Sequence, residues 1–163
     1  MTGDNSRDYG RLGRLGIGTP QANPTVEAEM RRLIPRDVEY FTLRLTSDSA
    51  DAATRLKDYL LNLPDFLGQR YAGLSMDAFL HGCTGSEYLL PADQCDKAIS
   101  EAEQVIGAPV ITAARALVRW LRENQVQTIA MATPYPDWLY DPACRFWTDA
   151  GFRVVGKEQI DIG

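Results

Sequence analysis

Cys83, Thr84, Gly85 and Ser86 follow one another directly behind an apolar run, in the stretch AFLHGCTGSEY from Ala78 to Tyr88. A thiol can lose its proton and serve as a base or nucleophile, and its pKa falls where the N–H groups of a helix start point at it. The hydroxyls and backbone N–H groups beside it can hold carboxylate oxygens. Similar groups recur behind other apolar runs: Gln21, Asn23 and Thr25 in TPQANPT, Thr112 behind APVI, and Thr133, Pro134 and Tyr135 in ATPYP. The set is neutral and rich in hydrogen-bond donors, with an Asn amide and a Tyr hydroxyl to add to it. It holds no carboxylate pair and no Ser-His-Asp order. The chemistry it suits is an anionic ligand, held by donors rather than by a salt bridge, next to a thiol.

Each residue also has a plainer role to weigh. Cysteine is among the most buried residue types, so a lone one behind a strand is more often core than catalyst. Asn23 between prolines is an ordinary turn residue, and Tyr135 can simply pack on its loop. His81, the single histidine, is read as satisfying a backbone carbonyl and not as a base. The glycines of GRLGIG lack the spacing of a dinucleotide-binding turn and lead into prolines, so a nucleotide site is weakly supported. Cys95 and Cys144 fall inside expected helices, as packing or surface thiols.

Composition narrows the partners. The formal charge of −5 on 163 residues argues against a nucleic-acid or anionic-membrane surface. No apolar run approaches the roughly 18 residues of a membrane span, and the N-terminus MTGDNSRDYG is too polar for a signal peptide. Three unevenly spaced cysteines and one histidine make neither a disulfide framework nor a zinc pattern. The expectation is a soluble, cytoplasmic protein with reduced thiols, no metal and no organic cofactor.

The elements that must position these residues alternate along the chain. RLGRLGIGTP reads as a buried strand stopped at Pro20, and Val26–Leu33 as a helix with Glu27 and Glu29 where the helix dipole favours them. VEYFTLRL has the β-branched and aromatic content of a strand, and SADAATRLKDYLLNL the helical spacing that ends before Pro64. The strand leading to Cys83 follows. A helix from Pro91 to Gly107 comes next, then the strand APVIT and the amphipathic helix AARALVRWLRENQ. QTIAMAT is a strand, PYPDWLYD a loop, PACRFWTDAGF a helix closed by Gly151, and RVVGKEQIDI a last strand. Strand–helix alternation of this kind predicts a doubly wound parallel α/β sheet, in which ligands sit beyond the carboxyl ends of the strands.

Three segments together resemble the aspartate/glutamate racemase superfamily, in its maleate isomerase and arylmalonate decarboxylase branch. GIGTPQANPTVEAEM is similar to that family's first strand–loop–helix, whose Asn meets the substrate carboxylate, and Asn23 stands in its place. AFLHGCTGSEY resembles the segment carrying the first of two active-site cysteines. TIAMATPYPDWLYDPACRFWTDAGFRVV resembles the stretch whose Tyr binds a carboxylate, matched by Tyr135. The likeness runs from about Leu15 to the C-terminus.

The resemblance implies two Rossmann-like halves related by a pseudo-twofold, with substrate between them and one cysteine from each half. In the racemases one thiolate removes a proton and the other thiol returns one. In maleate isomerases a thiolate adds to the alkene, the bond rotates and the thiol leaves. In arylmalonate decarboxylases only the second cysteine is kept, and the first position is usually Gly, so Cys83 favours isomerase or racemase over decarboxylase. The expected roles are Cys83 as catalytic thiol, with Asn23, Thr84, Gly85, Ser86, Thr133 and Tyr135 holding a small mono- or dicarboxylate. A non-catalytic carboxylate-binding half is the alternative.

The expected organisation is a disordered tail over residues 1–10, a Rossmann-like domain over 11–125, and the start of a second over 126–163. The second half stops after two strands, and no cysteine matches the family's second catalytic one. An unfinished two-stranded sheet exposes an edge, which predicts either fraying from about Val126 or a homodimer that buries it.

Overall fold

The computed structural model describes residues 8–160; positions 1–7 of the expected tail lie outside them. Asp8, Tyr9 and Gly10 lead into the first strand, and the Arg14 guanidinium donates to the Tyr9 carbonyl at 3.3 and 3.4 Å. Six strands alternate with helices in the order β1 (Gly13–Pro20), α1 (Thr25–Leu33), β2 (Val38–Leu45), α2 (Ala52–Leu61), α3 (Leu63–Arg70), β3 (Ala78–His81), α4 (Thr84–Leu89), α5 (Ala92–Ile106), β4 (Val110–Thr112), α6 (Ala113–Glu123), β5 (Thr128–Thr133), α7 (Asp137–Asp149) and β6 (Arg153–Gln159). All strand pairs are parallel. The strands form one sheet in the order β2-β1-β3-β4 and a second of β5-β6. The fold is thus the parallel α/β, Rossmann-like architecture expected.

Three element readings are corrected. The helix α2 does end before Pro64, at Leu61, but Pro64 opens a further helix, α3, that was not read; it lies in the first turn, where its missing N–H costs nothing. The residues after Cys83 are not only loop: Thr84–Leu89 form the short helix α4, separated from α5 by Pro91. The loop read over PYPDWLYD is helical from Asp137, and α7 runs through Pro142. A proline at that point deletes the N–H that would bond the Trp138 carbonyl. Residues on both sides of it, Leu139, Tyr140 and Ala143, are buried, and packing holds the helix together.

The core divides in two. Leu43, Leu45, Phe79 and Val110 from the large sheet pack with Tyr59, Leu60, Leu63 and Leu67 of α2–α3 and with Cys95, Ala98, Ile99 and Ala102 of α5. The second cluster is Met131, Tyr140, Ala143, Cys144, Trp147 and Phe152, with Tyr88 of α4 and Val118 and Leu121 of α6 packed against it.

The glycines of GRLGIG have a packing reason. A Cβ on Gly16 would lie 2.5 Å from the Phe79 ring and one on Gly18 2.9 Å from it. The Phe79 ring lies against β1 at Gly16 and Gly18, which leaves no room for side chains there.

Candidate functional site

The strand order places β1 beside β3 where the winding reverses, so the carboxyl ends of these two strands open a crevice at the topological switch point. Asn23 and Cys83 lie in the two loops that leave it. Their spacing is fixed by backbone: Gly82 N–H donates to the Gly18 carbonyl at 2.7 Å. A Cβ at Gly82 would meet that same oxygen at 2.9 Å.

The loop after β1 is held from several sides. Asn23 Oδ1 accepts the N–H groups of Thr25 (2.8 Å) and Val26 (3.1 Å) and so caps α1 in the manner of an N-cap side chain. Its carbonyl accepts Arg44 Nη1 at 2.6 Å, and the Arg44 guanidinium also pairs with the Glu27 carboxylate. Gln21 Oε1 accepts the Ser47 N–H at 2.9 Å. The cation beside the loop is therefore engaged with protein oxygens, and what Asn23 can offer a ligand is its amide N–H.

Cys83 ends the loop after β3, in extended conformation immediately before α4, and is 7% exposed. Burial pushes its thiol above the ordinary value; this outweighs the Ser86 side chain and the Ser86 and Gly85 N–H groups, which pull it down. The expectation of a lowered thiol pKa at this helix start is thus reversed, because desolvation exceeds what the first turn returns. The Ser86 hydroxyl is fully buried and reaches hydrogen-bond geometry with no neighbour. Thr19 Oγ1, near the end of β1, and Thr133 Oγ1, at the end of β5, are likewise buried and unpartnered. Polar atoms left this way are uncommon in proteins and call for an explanation.

Thr84 Oγ1 lies 3.3 Å from Tyr135 Oη, and this contact brings the first loop cluster to the second sheet. The Tyr135 loop is fixed by β6: Gln159 Nε2 donates to the Tyr135 carbonyl (3.0 Å) and to Asp137 Oδ1 (2.9 Å), and Ile160 N–H to the Thr133 carbonyl (2.8 Å).

His81 is 1% exposed with Nε2 3.3 Å from the Tyr59 carbonyl, as expected for a histidine satisfying backbone. Burial lowers its pKa to about 4, which keeps it neutral. Cys95 is buried with Sγ 4.0 Å from the Leu90 carbonyl, and Cys144 with Sγ 3.7 Å from Met131 Sδ; both are packing thiols, and all three cysteines are unpaired. Among the described residues no group of three His, Cys, Asp or Glu side chains could hold a metal ion, and no helix is long and apolar enough to cross a membrane.

Two tyrosines escaped the sequence reading. Tyr59 on α2, 4% exposed, has its phenol raised by burial, with Arg55, Cys83 and the Gln21 N–H acting on its hydroxyl. Tyr88, one turn beyond Thr84, packs its ring against Tyr135. Both occupy positions in helices that periodicity assigns to packing. A cavity of about 760 Å³ lies elsewhere: it is bounded by α4–α7 and lined by residues such as Glu87, Cys95 and Arg115, without Cys83, Asn23 or Tyr135. Glu87 there is buried, with Oε2 2.7 Å from Arg115 Nε, while Arg115 Nη2 meets Asp96 at 2.7 Å.

No protein-family model and no curated protein matches the chain. Solved structures do. A maleate isomerase from Pseudomonas putida S16, determined with maleate, superposes with a TM-score of 0.78 at 19% identity, over 91% of this chain and 64% of that one. A cysteine-to-serine variant of the maleate cis-trans isomerase of Nocardia farcinica, carrying a covalently bound succinylcysteine intermediate, superposes with a TM-score of 0.78 at 21% identity and the same coverage. Arylmalonate decarboxylase gives 0.69 at 18% identity, again over 91% of this chain and 64% of that one. The chain thus spans 64% of the length of the structures it matches. At these identities the likeness establishes the fold, and the fold is that of the maleate isomerase and arylmalonate decarboxylase branch expected from the sequence.

Proposed function

We propose that the chain belongs to the aspartate/glutamate racemase superfamily and acts, without a cofactor, beside the carboxylate of a small mono- or dicarboxylic acid, in the manner of a maleate cis-trans isomerase. The observation that carries the reading is the convergence of Cys83, Thr84 and Tyr135 at a strand-end crevice in a fold shared with maleate isomerases. Cys83 is the nucleophile. Its thiolate sulfur bonds to one alkene carbon, and the π pair moves to the neighbouring carbon and its carboxylate. The former double bond rotates, the pair returns, and the C–S bond breaks. Asn23, Thr84, Gly85, Ser86, Thr133 and Tyr135 hold the carboxylates. Donors of this kind stabilise the charge that builds up on carboxylate oxygen during addition.

The raised pKa of Cys83 favours one further reading: a carboxylate-binding protein that does not turn its ligand over. The decarboxylase alternative is less favoured, because its first cysteine position is usually glycine. The deciding experiment follows maleate by NMR with purified protein and measures iodoacetamide labelling of the three cysteines. Conversion to fumarate, abolished in Cys83→Ser, supports the isomerase; so does labelling of Cys83 ahead of Cys95 and Cys144 that maleate suppresses. Maleate binding without turnover supports the binding protein. Equal labelling of all three thiols, unaffected by maleate, overturns the role of Cys83. Tyr135→Phe and Asn23→Ala should each weaken maleate binding by about ten- to a hundred-fold, the cost of removing one donor to a charged group.

A further inference from the structure

We propose that the cavity bounded by α4–α7 is a second ligand site, separate from the strand-end crevice, and that it takes a small organic anion with an apolar body. The inference does not rest on the carboxylate reading of the crevice.

Two helix faces wall the cavity. On α6 the lining residues are Arg115, Val118, Arg119 and Arg122, and on α7 they are Pro142, Arg145, Phe146 and Asp149. Intervals of three and four residues put each set on one side of its helix. The helix α4 packs against both and adds Tyr88 to the lining. At about 760 Å³ the space lies within the roughly 300–1,000 Å³ of pockets that enclose small organic molecules.

Charge decides what kind of molecule fits. Four arginines line the cavity against three carboxylates, Glu87, Glu123 and Asp149, in a chain whose formal charge is −5. Two of the arginines are spent on acids: Arg115 on Glu87 and Asp96, and Arg119 on Glu123 at 2.7 Å. The other two are not. Arg122 Nη2 donates to the Ala150 carbonyl at 2.8 Å and has no carboxylate partner among the described residues. Arg145 makes no hydrogen bond or ion pair among the described residues, and Asp149 forms no ion pair there either. Two guanidiniums thus face one free carboxylate. Each guanidinium presents five N–H donors in a planar fork that matches carboxylate, sulfonate or phosphate oxygens. Tyr88, Val118 and Phe146 beside them give an aromatic or aliphatic body a surface to cover. A bare dicarboxylate would bring the charge but nothing to place against that surface.

The test titrates anilinonaphthalene sulfonate, a ring system with one anionic group that fluoresces in apolar surroundings, into wild type, Arg145→Met, Arg145→Lys and Ala92→Trp. Phenylnaphthylamine, the same rings without the sulfonate, is the neutral control. Arg145 and Ala92 are both exposed, so the variants should melt with wild type. One sulfonate should bind per chain, more tightly than the neutral probe and less tightly as salt rises. Arg145→Met should weaken it about three- to tenfold, between the worth of an exposed ion pair and that of a buried charged hydrogen bond, and Arg145→Lys should recover part of the loss. Ala92→Trp, which adds a ring to the cavity wall, should weaken both probes, and excess maleate should displace neither. No saturable binding, or binding unaltered in Arg145→Met and Ala92→Trp, overturns the site. Equal affinity for the neutral probe overturns the anion. Displacement by maleate puts the sulfonate in the crevice and overturns the separate site while leaving the carboxylate reading intact.

Discussion

The two sheets are built to different degrees of self-sufficiency. The four-stranded sheet has the fully buried side chains Leu45, Leu60, Leu63, Leu67 and Phe79 in one cluster with α2, α3 and α5. The β5-β6 pair has Ala143 as the one fully buried side chain in its described cluster and draws Tyr88, Val118 and Leu121 from elements that follow the other sheet. A two-stranded sheet buries too little apolar surface to stand alone. The half that carries Cys83 therefore makes its own core, and the half that carries Tyr135 completes its core on α4 and α6. One consequence is that the Tyr88 ring, carried by α4, packs both on the second core and against Tyr135.

The largest effect should come from emptying each core in turn. Phe79→Ala removes a fully buried ring and should cost about 3–5 kcal/mol, with loss of hydrogen-exchange protection in both sheets. Trp147→Ala should expose β5 and β6 to exchange while β1 and β3 stay protected. If Trp147→Ala unfolds the whole chain in one step, the two halves are a single cooperative unit and the larger sheet is no more self-sufficient than the smaller.

Acid should act first on the larger unit, through His81. The unfolded chain takes up a proton near 6.5 and the folded chain only near 4, because the ring is buried. Between those values the unfolded form binds more protons, so stability falls as pH drops through that window, by up to about 3 kcal/mol. The His81 contribution should be flat above pH 7. Urea melts from pH 7.5 to 4 measure the slope, which His81→Asn should remove.

A smaller effect sharpens how α4 is tied to α6. Arg115→Met leaves the Glu87 carboxylate buried without its cation and should destabilise by about 1–3 kcal/mol, below the range for a fully buried pair because the arginine is 43% exposed. Protection should fall in α4 and β5 before β1. The smallest effect belongs to Asn23→Ala, which removes the cap of α1 and should cost about 1 kcal/mol. Asn23→Asp should restore that stability without restoring ligand binding, since an aspartate caps but has no amide N–H to give.

Most of the fold was legible because its strands are short apolar runs punctuated by Pro and Gly, and all six were read. What escaped were helix breaks and continuations decided by packing. Pro64 suits a first helical turn as Pro91 does, but a helix starting directly after another is not marked by pattern, and nothing local marks that α7 survives Pro142. The loop residues of the site were legible, since a strand's carboxyl end is readable from hydrophobic pattern alone. The thiol's raised pKa was not, because it depends on how deeply Cys83 is buried. Nor were Tyr59 and Tyr88, whose helical positions read as ordinary packing. Asn23 shows the intermediate case: its type and place were readable, but not that its oxygen would be spent on Thr25 and Val26.

The bond from Gly82 to the Gly18 carbonyl bears on how such a chain can drift. The gap between the two loops at the switch point is set by main-chain atoms, and any side chain at Gly82 would intrude on it. Residues elsewhere can change what lines the crevice while this main-chain contact stays in place. A protein gauged in this way can differ from a maleate isomerase at about four-fifths of its aligned positions, as the 19% identity requires, and still share its fold.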